Sequence, residues 1–384
     1  MFSTAKRLEG ISEYYFAGKL REIADMRAQG KDIINLGIGS PDLPPHPDVT
    51  EALHHTAAQP TAHGYQSYTG TPALREAWSR WYAQYYNVSL APVNEILPLM
   101  GSKEGIVHVA MTFLEAGDVA LVPNPGYPTY RAASVLAGAT VEYYPLSETN
   151  GWLPDFAALE QQDLSRVKIM WVNYPHMPTG AQADNTFFEE VVAFGRKHRI
   201  LIVNDNPYSF ILNDNPVSIL SVEGAKEVAL ELNSLSKSHN MAGWRMGALV
   251  GNAEYLSAVL RFKSNMDSGQ FLALQQAAVK ALELPADWYR DLNVIYKERQ
   301  VRAFDILDHL HCRFDRNQQG MFVWARIPET WKDGYALSDH VLYNSHVFIT
   351  PGGIFGSAGE QYVRISLCQD KNVFTTALER IAAL

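Results

Sequence analysis

The chain has 384 residues, 47% of them hydrophobic and 19% charged, with a formal net charge of −9 at pH 7. That balance describes a folded globule, and its acidity speaks against a nucleic-acid partner, which would favour a basic face. Two cysteines, Cys312 and Cys368, are too few for a disulfide framework.

The first ten residues lack the apolar core of a signal peptide, and no apolar run approaches the ~18 residues of a membrane span. A cytoplasmic protein with no membrane partner is expected. The length exceeds what one small core organises, so two domains are the natural expectation.

Short apolar runs at 95–100, 118–122, 140–144, 167–172, 200–204, 227–233 and 246–251 read as strands. Most are continuous rather than alternating, as in a mostly parallel sheet covered on both faces. Helical patterns lie between them, for example at 185–197, with Phe187, Val191, Val192 and Phe194 on one stripe. An α/β domain over 46–285 follows. From 287 to 310 the pattern becomes one long amphipathic helix, with Leu292, Ile295, Val301, Phe304, Ile306 and Leu307 as apolar positions. Alternating runs at 321–327 and 362–367 and a helix from about 373 complete a smaller α+β domain, made of 1–45 and 286–384.

The chemistry is concentrated where strands end. Ser234, Ser236, Lys237 and Arg245 fall just after the strand at 227–233, at the carboxyl edge where open α/β sheets bind ligands. Two hydroxyls and an arginine suit a phosphate, and an amine suits a Schiff base with a carbonyl. Phosphate and aldehyde in one ligand describe pyridoxal 5′-phosphate. Against this stands the plain reading of Lys237 as a solvated surface charge.

Each other motif has two readings as well. Asp205, at the end of 200–204, either pairs with a pyridine nitrogen, with Tyr208 close to the ring oxygen, or caps a turn before Pro207. Ser102 and Lys103 open a helix after Gly101, which makes either an anion site or an ordinary strand-to-helix turn. Tyr127, between Pro125 and Pro128, either stacks on a flat ring or simply packs. Arg364, inside the apolar run 362–367, either grips a carboxylate or forms a structural ion pair.

Taken together, in order and spacing, these blocks resemble a class I/II aminotransferase, a fold-type I pyridoxal-phosphate enzyme, over nearly the whole length. The stretch Asn35 to Asp42 (NLGIGSPD) belongs to the same pattern. The resemblance implies a large domain with a seven-stranded mostly parallel sheet, a small α+β domain, and a homodimer with sites at the subunit interface. It implies that Lys237 is the Schiff-base lysine and proton shuttle, that Asp205 pairs with the pyridinium nitrogen, that Tyr208 donates to the ring oxygen and that Tyr127 stacks on the ring. Ser102, Lys103, Ser234, Ser236 and Arg245 would surround the phosphate. Arg364, with the backbone at Ile38 and Gly39, would hold the substrate α-carboxylate, and Tyr65 would reach the neighbouring subunit's phosphate.

The run 173–180 (NYPHMPTG) departs from the family's Asn-Pro-Thr-Gly by placing Met177 where an amide donor to the ring oxygen is usual. Met cannot donate, so His176, Asn173 or water would have to replace that donor. The stretches 263–270 and 101–105 are similar to the aspartate and LL-diaminopimelate aminotransferase-like branch. The aromatic run Tyr14-Tyr15-Phe16 either lines the substrate entrance or packs in a core. The implied activity is transfer of an α-amino group from an amino acid to a 2-oxo acid. The rival on the same scaffold is a β-lyase acting on sulfur amino acids. A cofactor-sensing regulator, which would need an added DNA-binding domain, ranks third.

Overall fold

A computed structural model describes every residue except Met1, Ser12 and Tyr14, so the Tyr14 part of the aromatic run lies outside the described residues. In chain order the strands are β1 (Ile34–Asn35), β2 (Ile96–Leu99), β3 (Val119–Asn124), β4 (Thr140–Pro145), β5 (Val167–Val172) and β6 (Leu201–Asp205). They continue with β7 (Ala229–Ser234), β8 (Gly247–Gly251), β9 (Phe322–Arg326), β10 (Val347–Phe348), β11 (Thr350–Pro351) and β12 (Tyr362–Ser366). Seven of them form one sheet in the order β2-β8-β7-β6-β5-β3-β4. All neighbours are parallel except β8, which runs antiparallel to both β2 and β7.

The continuous apolar character of these strands has a simple cause, because both faces of the sheet are covered. Helices Pro72–Tyr86, Asn185–His198 and Leu272–Leu282 pack on one face. Helices Ser102–Phe113, Pro128–Leu136 and Ala253–Lys263 pack on the other. A polar residue survives in this core only when it is fully bonded. Glu231 of β7 is completely buried and accepts from Tyr82 and Ser218 hydroxyls, the Asn204 amide and the Ile219 backbone N–H, at 2.9 to 3.1 Å.

The strand predicted at 227–233 begins later, at Ala229, because Gly224 in a left-handed conformation (φ 73°) leads into a 3-10 turn over Ala225–Glu227. The long helix spans Asp287–His309 as expected, but two of its predicted apolar positions face solvent, Ile295 at 38% and Val301 at 46% exposure. The buried stripe runs instead through Leu292, Tyr296, Arg299, Ala303, Phe304, Ile306 and Leu307. Arg299 takes its place there through a two-pronged bond to Asp42 at 2.7 and 2.9 Å.

That helix packs with helices Gly334–Ser345 and Lys371–Ala382 around the antiparallel sheet β11-β12-β9. The N-terminal segment joins this second body: β1 pairs in parallel with β10, and helix Tyr15–Ala28 buries Phe16, Ile23 and Met26 against Leu342 and Phe348. The cleft considered below lies where the two bodies meet.

Candidate active site

Strand alternation decides which side chains reach the cleft. Side chains two apart share a face of a strand. In β7, Leu230 and Leu232 pack with the helix that begins at Ser102, and Ser234 continues that row. In β6, Val203 belongs to the same layer and Asp205 follows it. Both rows end at the carboxyl edge of the sheet, so Ser234 and Asp205 open into one cavity of about 650 Å³.

The connection from β7 to its antiparallel neighbour β8 is short, and it carries both the lysine and the arginine. Ser234 caps the helical turn Leu235–Ser238 by accepting from the Ser236 N–H at 3.2 Å. The turn projects Lys237 inward, where its Nζ donates to the Gly39 carbonyl at 2.5 Å. Burial, reinforced by the like charges of Arg364 and Arg245, holds the Lys237 amine below the usual lysine range. Arg245 leaves the loop with φ 56°, and its guanidinium reaches the Ala242 carbonyl at 2.9 Å, the Met100 carbonyl at 3.3 Å and the Ser236 hydroxyl at 3.5 Å.

Gly101 makes that approach feasible. Its φ is 81°, and a Cβ there would stand 2.2 Å from Arg245 Nη2. Immediately after it the helix Ser102–Phe113 begins, with no side-chain cap, so the helix start shares the end of the cleft with Ser102, Lys103, Ser234, Ser236 and Arg245. Desolvation, then the nearby Arg245 charge, lowers the Lys103 amine from its ordinary value.

At the centre sits Asp205. Its Oδ2 accepts from the Tyr130 hydroxyl at 2.9 Å, while its buried Oδ1 meets no donor at hydrogen-bonding geometry. Burial pushes the carboxyl up to about 6, opposed by the hydroxyls of Tyr130 and Ser102. Tyr130 is itself fixed. Its ring stacks on Trp171 at 5.4 Å and 8°, and Trp171 Nε1 donates to Ser134 Oγ, which in turn donates to the Tyr130 carbonyl. Tyr127 meets Tyr130 edge-on at 5.6 Å, and Tyr208 meets Phe322 in the same way at 5.8 Å.

The far wall comes from the second body. Arg364 in β12 lies opposite Thr350 and Trp324 in the register. It is almost fully buried, donates from Nη2 to the Gly37 carbonyl at 2.9 Å and from Nη1 to Met177 Sδ at 3.3 Å. Phenyl rings surround it, Phe322 at 3.8 Å, Phe355 at 4.6 Å and Phe16 at 5.8 Å from the guanidinium carbon.

Of the residues singled out from sequence, Ile38, Gly39, Ser102, Lys103, Tyr127, Asp205, Tyr208, Ser234, Ser236, Lys237, Arg245 and Arg364 all line this cavity. Tyr65 does not. It is 95% exposed, in a loop whose Gln66 bridges to Gly269. Phe16 both packs in the N-terminal core and lines the cleft, so the two readings of the aromatic run are compatible there. Met177 and Asn173 line the cleft and His176 does not; its Nδ1 is engaged with Thr179 Oγ1 at 2.8 Å. Asn173 is tied to backbone at both ends, donating to the Asp205 carbonyl at 2.5 Å and accepting from the Met177 N–H at 2.9 Å. Tyr130 is one residue that sequence reasoning missed, as are Phe322 and Phe355 around Arg364. For Tyr130, the spacing three positions after Tyr127, one helical turn, was the available signal.

A lysine of lowered basicity, a buried acid with a free oxygen, a cationic helix start and a caged arginine define a site for an amine-handling enzyme with an anionic ligand. Residues 31–381 match the family model for aminotransferase class I and II. The chain belongs to that family. It is 43% identical to LL-diaminopimelate aminotransferase of Dehalococcoides mccartyi, over 94% of each chain. It is also 43% identical to that of Desulforudis audaxviator, over 99% of this chain and 97% of the relative. Among solved structures it resembles substrate-bound BacF from Bacillus subtilis, with a TM-score of 0.96, 37% identity and 100% and 98% coverage. It also resembles a probable N-succinyldiaminopimelate aminotransferase from Thermus thermophilus, with a TM-score of 0.90, 33% identity and 96% and 99% coverage. The protein is accordingly an amino-acid aminotransferase with a fold-type I architecture, and the family implies pyridoxal phosphate. These likenesses favour the transaminase over the β-lyase.

Proposed function

We propose that this chain transfers the α-amino group of an amino acid to a 2-oxo acid with pyridoxal 5′-phosphate held in the 650 Å³ cleft, and that Lys237 is its catalytic residue. The observation that carries the reading is the buried pair at the centre: a lysine kept below its ordinary basicity within the same cavity as an acid whose Oδ1 lacks a donor. The residues present fit the cofactor. Asp205 Oδ1 is an acceptor suited to a ring N–H, and the close approach of the Arg245 guanidinium to Gly101 sets a cation beside the start of helix Ser102–Phe113, which suits a phosphate.

When bound, pyridoxal phosphate supplies an aldehyde for the amino group and a protonated ring that takes up the electrons released at the α-carbon. Every other part belongs to this chain. Ser102, Lys103, Ser234, Ser236, Arg245 and the helix start offer donors to the phosphate. Asp205, oriented by Tyr130, holds a proton on the ring nitrogen by its negative charge. Tyr208 offers a hydroxyl to the ring oxygen, and Tyr127 covers the ring face. Arg364, with the backbone at Ile38 and Gly39, takes the α-carboxylate as a fixed fork. Lys237 Nζ, neutral in part because it is desolvated, removes the proton from the substrate α-carbon.

The reading treats 46–285 as the cofactor-holding domain and 1–45 with 286–384 as the domain that brings Arg364. It also takes the enzyme as a cytoplasmic homodimer whose Tyr65 reaches the partner's phosphate. Support for a dimer is the exposed cluster Tyr65, Tyr68, Met266 and Phe271 around the Gln66–Gly269 bridge. The test is reductive trapping: borohydride treatment of the cofactor-loaded protein, then peptide mass analysis. The cofactor mass is expected on the peptide holding Lys237; its appearance on another lysine overturns the assignment.

A further inference from the structure

We infer that Glu104 is a positioning residue for the phosphate end of the cleft: it pins Met100, and the Met100 carbonyl holds the Arg245 guanidinium. The inference rests on the proposed function, because it takes that end of the cleft as the seat of the cofactor's phosphate. Every contact it uses lies within one chain.

A carboxylate in the first turn of helix Ser102–Phe113 is out of place beside an anion seat, where its charge opposes the ligand's. Ser102 and Lys103 line the cleft, whereas Glu104 does not. It bends back, and its Oε2 accepts from the Met100 N–H at 2.5 Å. An acid at the third helical position that bonds backward is half of a capping box. The other half is missing, because Gly101 has no side chain to cap the helix.

Met100 carries the effect to the cleft. Its N–H is held by Glu104, and its carbonyl accepts from Arg245 Nη2 at 3.3 Å. A shift of Met100 therefore moves the oxygen that steers the arginine. From the other side, Gln270 Nε2 donates to the Arg245 carbonyl at 2.9 Å. Arg245 has φ 56°, a left-handed conformation that a residue with a side chain keeps only where its surroundings hold it.

Glu104 is itself braced by a buried cluster. His108, one turn along the helix and fully buried, brings Nε2 to 3.0 Å from Glu104 Oε1. Asp267 shares a hydrogen bond with Glu104. Lys263, the buried last residue of helix Ala253–Lys263, donates to both Asp267 oxygens at 2.8 Å. Burial by itself would raise the Glu104 carboxyl, but His108, Asp267 and the Met100 N–H together hold it below its ordinary value. Asp267 is raised, by burial and then by Glu104. The charge of the pair thus rests on Glu104, the member that accepts from Met100. Glu104, His108 and Asp267 also stand close enough to share a metal ion, with ligand atoms within 4.8 Å of one another. The Lys263 ammonium on Asp267 already serves as the cation of this cluster, so we read it as a brace.

The test titrates the full chain, freed of cofactor, with pyridoxal phosphate and separately with pyridoxal, which lacks the phosphate, and reads visible absorbance. Three substitutions separate position from charge. Glu104→Gln removes the charge but keeps an oxygen for the Met100 N–H. Glu104→Asp keeps the charge but draws the carboxylate back by one methylene, and Glu104→Ala removes both. The preference for pyridoxal phosphate over pyridoxal is expected to fall about tenfold in Glu104→Asp and Glu104→Ala, and to stay within about threefold of the parent in Glu104→Gln. Where Glu104→Ala does not fold, the other two decide the matter. If Glu104 were only a charge near the phosphate, its removal would relieve repulsion. A preference that rises in Glu104→Gln and is unchanged in Glu104→Asp therefore overturns the inference. An equal loss of both ligands, the mark of a merely structural role, overturns it too and leaves the aminotransferase reading standing. Parent protein that binds neither ligand overturns the proposed function itself.

Discussion

Replacing Tyr130 with Phe removes one oxygen and leaves the ring, so the stack on Trp171 at 5.4 Å and 8° survives and no cavity opens. What is lost is the 2.9 Å bond to Asp205 Oδ2, between two buried groups. A hydrogen bond to an ionised acceptor is worth about 1.5–3 kcal/mol. Because the bond favours the charged carboxylate, its loss raises the Asp205 pKa above its value of about 6, by roughly one to two units. At pH 7 the ionised fraction then falls from about nine-tenths to about half or less. Since a protonated cofactor ring needs the ionised acid, pyridoxal phosphate is expected to bind roughly 2- to 10-fold more weakly at pH 7. The assay is titration of the cofactor-free protein by absorbance from pH 5.5 to 8.5. The parent loses affinity as pH falls through about 6, and the variant loses it at least one unit higher. An affinity within twofold of the parent, with the same pH edge, would refute the claim that Tyr130 acts through Asp205.

Three further outcomes are expected. In cofactor-free protein, Asp205 has a folded pKa of about 6 against an ordinary 3.8. Its contribution to stability is therefore fully present below about pH 4 and lost as pH rises through 6; Asp205→Asn removes that loss and is more stable than the parent at pH 8, by up to ~3 kcal/mol in urea unfolding. Met177→Asn restores an amide donor beside the ring oxygen and is expected to move the pH midpoint of the bound cofactor's visible band down by about one unit; an unmoved midpoint shows that Met177 does not tune the cofactor. Gly101→Ala forces a side chain into φ 81° and against Arg245 Nη2, which costs about 1–3 kcal/mol of stability and is expected to weaken phosphate and cofactor binding at least tenfold, read by urea unfolding and by titration.

The large sheet was legible because its strands are buried on both faces and so appear as unbroken apolar runs; all seven were found, with ends shifted by one or two residues. The long helix shows where that logic stops. Counting apolar positions admitted Ile295 and Val301, which face water, and omitted Arg299, which is buried because Asp42, far away in sequence, supplies its partner. The two-residue strands β1 and β10 are too short to have any period. At the cleft, residues in recognisable motifs were found directly, whereas Tyr130 was not, since its meaning comes from an acid 75 positions later. The apolar lining of the cleft was half visible: Phe16 was noticed, but that Leu20 joins it depends on the turn of a helix and its seat against the second body.

Arg364 is bonded to the Gly37 carbonyl across 327 positions of chain, and Lys237 to Gly39 across 198. A pocket closed by contacts this distant in sequence is slow to assemble, because long loops must close before such contacts form. No short contiguous fragment contains it, since its lining runs from Phe16 to Arg364. A growing or partly folded chain would thus expose lysines to a reactive aldehyde before it owned a pocket to retain one. On the proposed function, ligand binding is thereby tied to the completeness of the fold, so cofactor occupancy would report that the N-terminal segment and Arg364 are both in place.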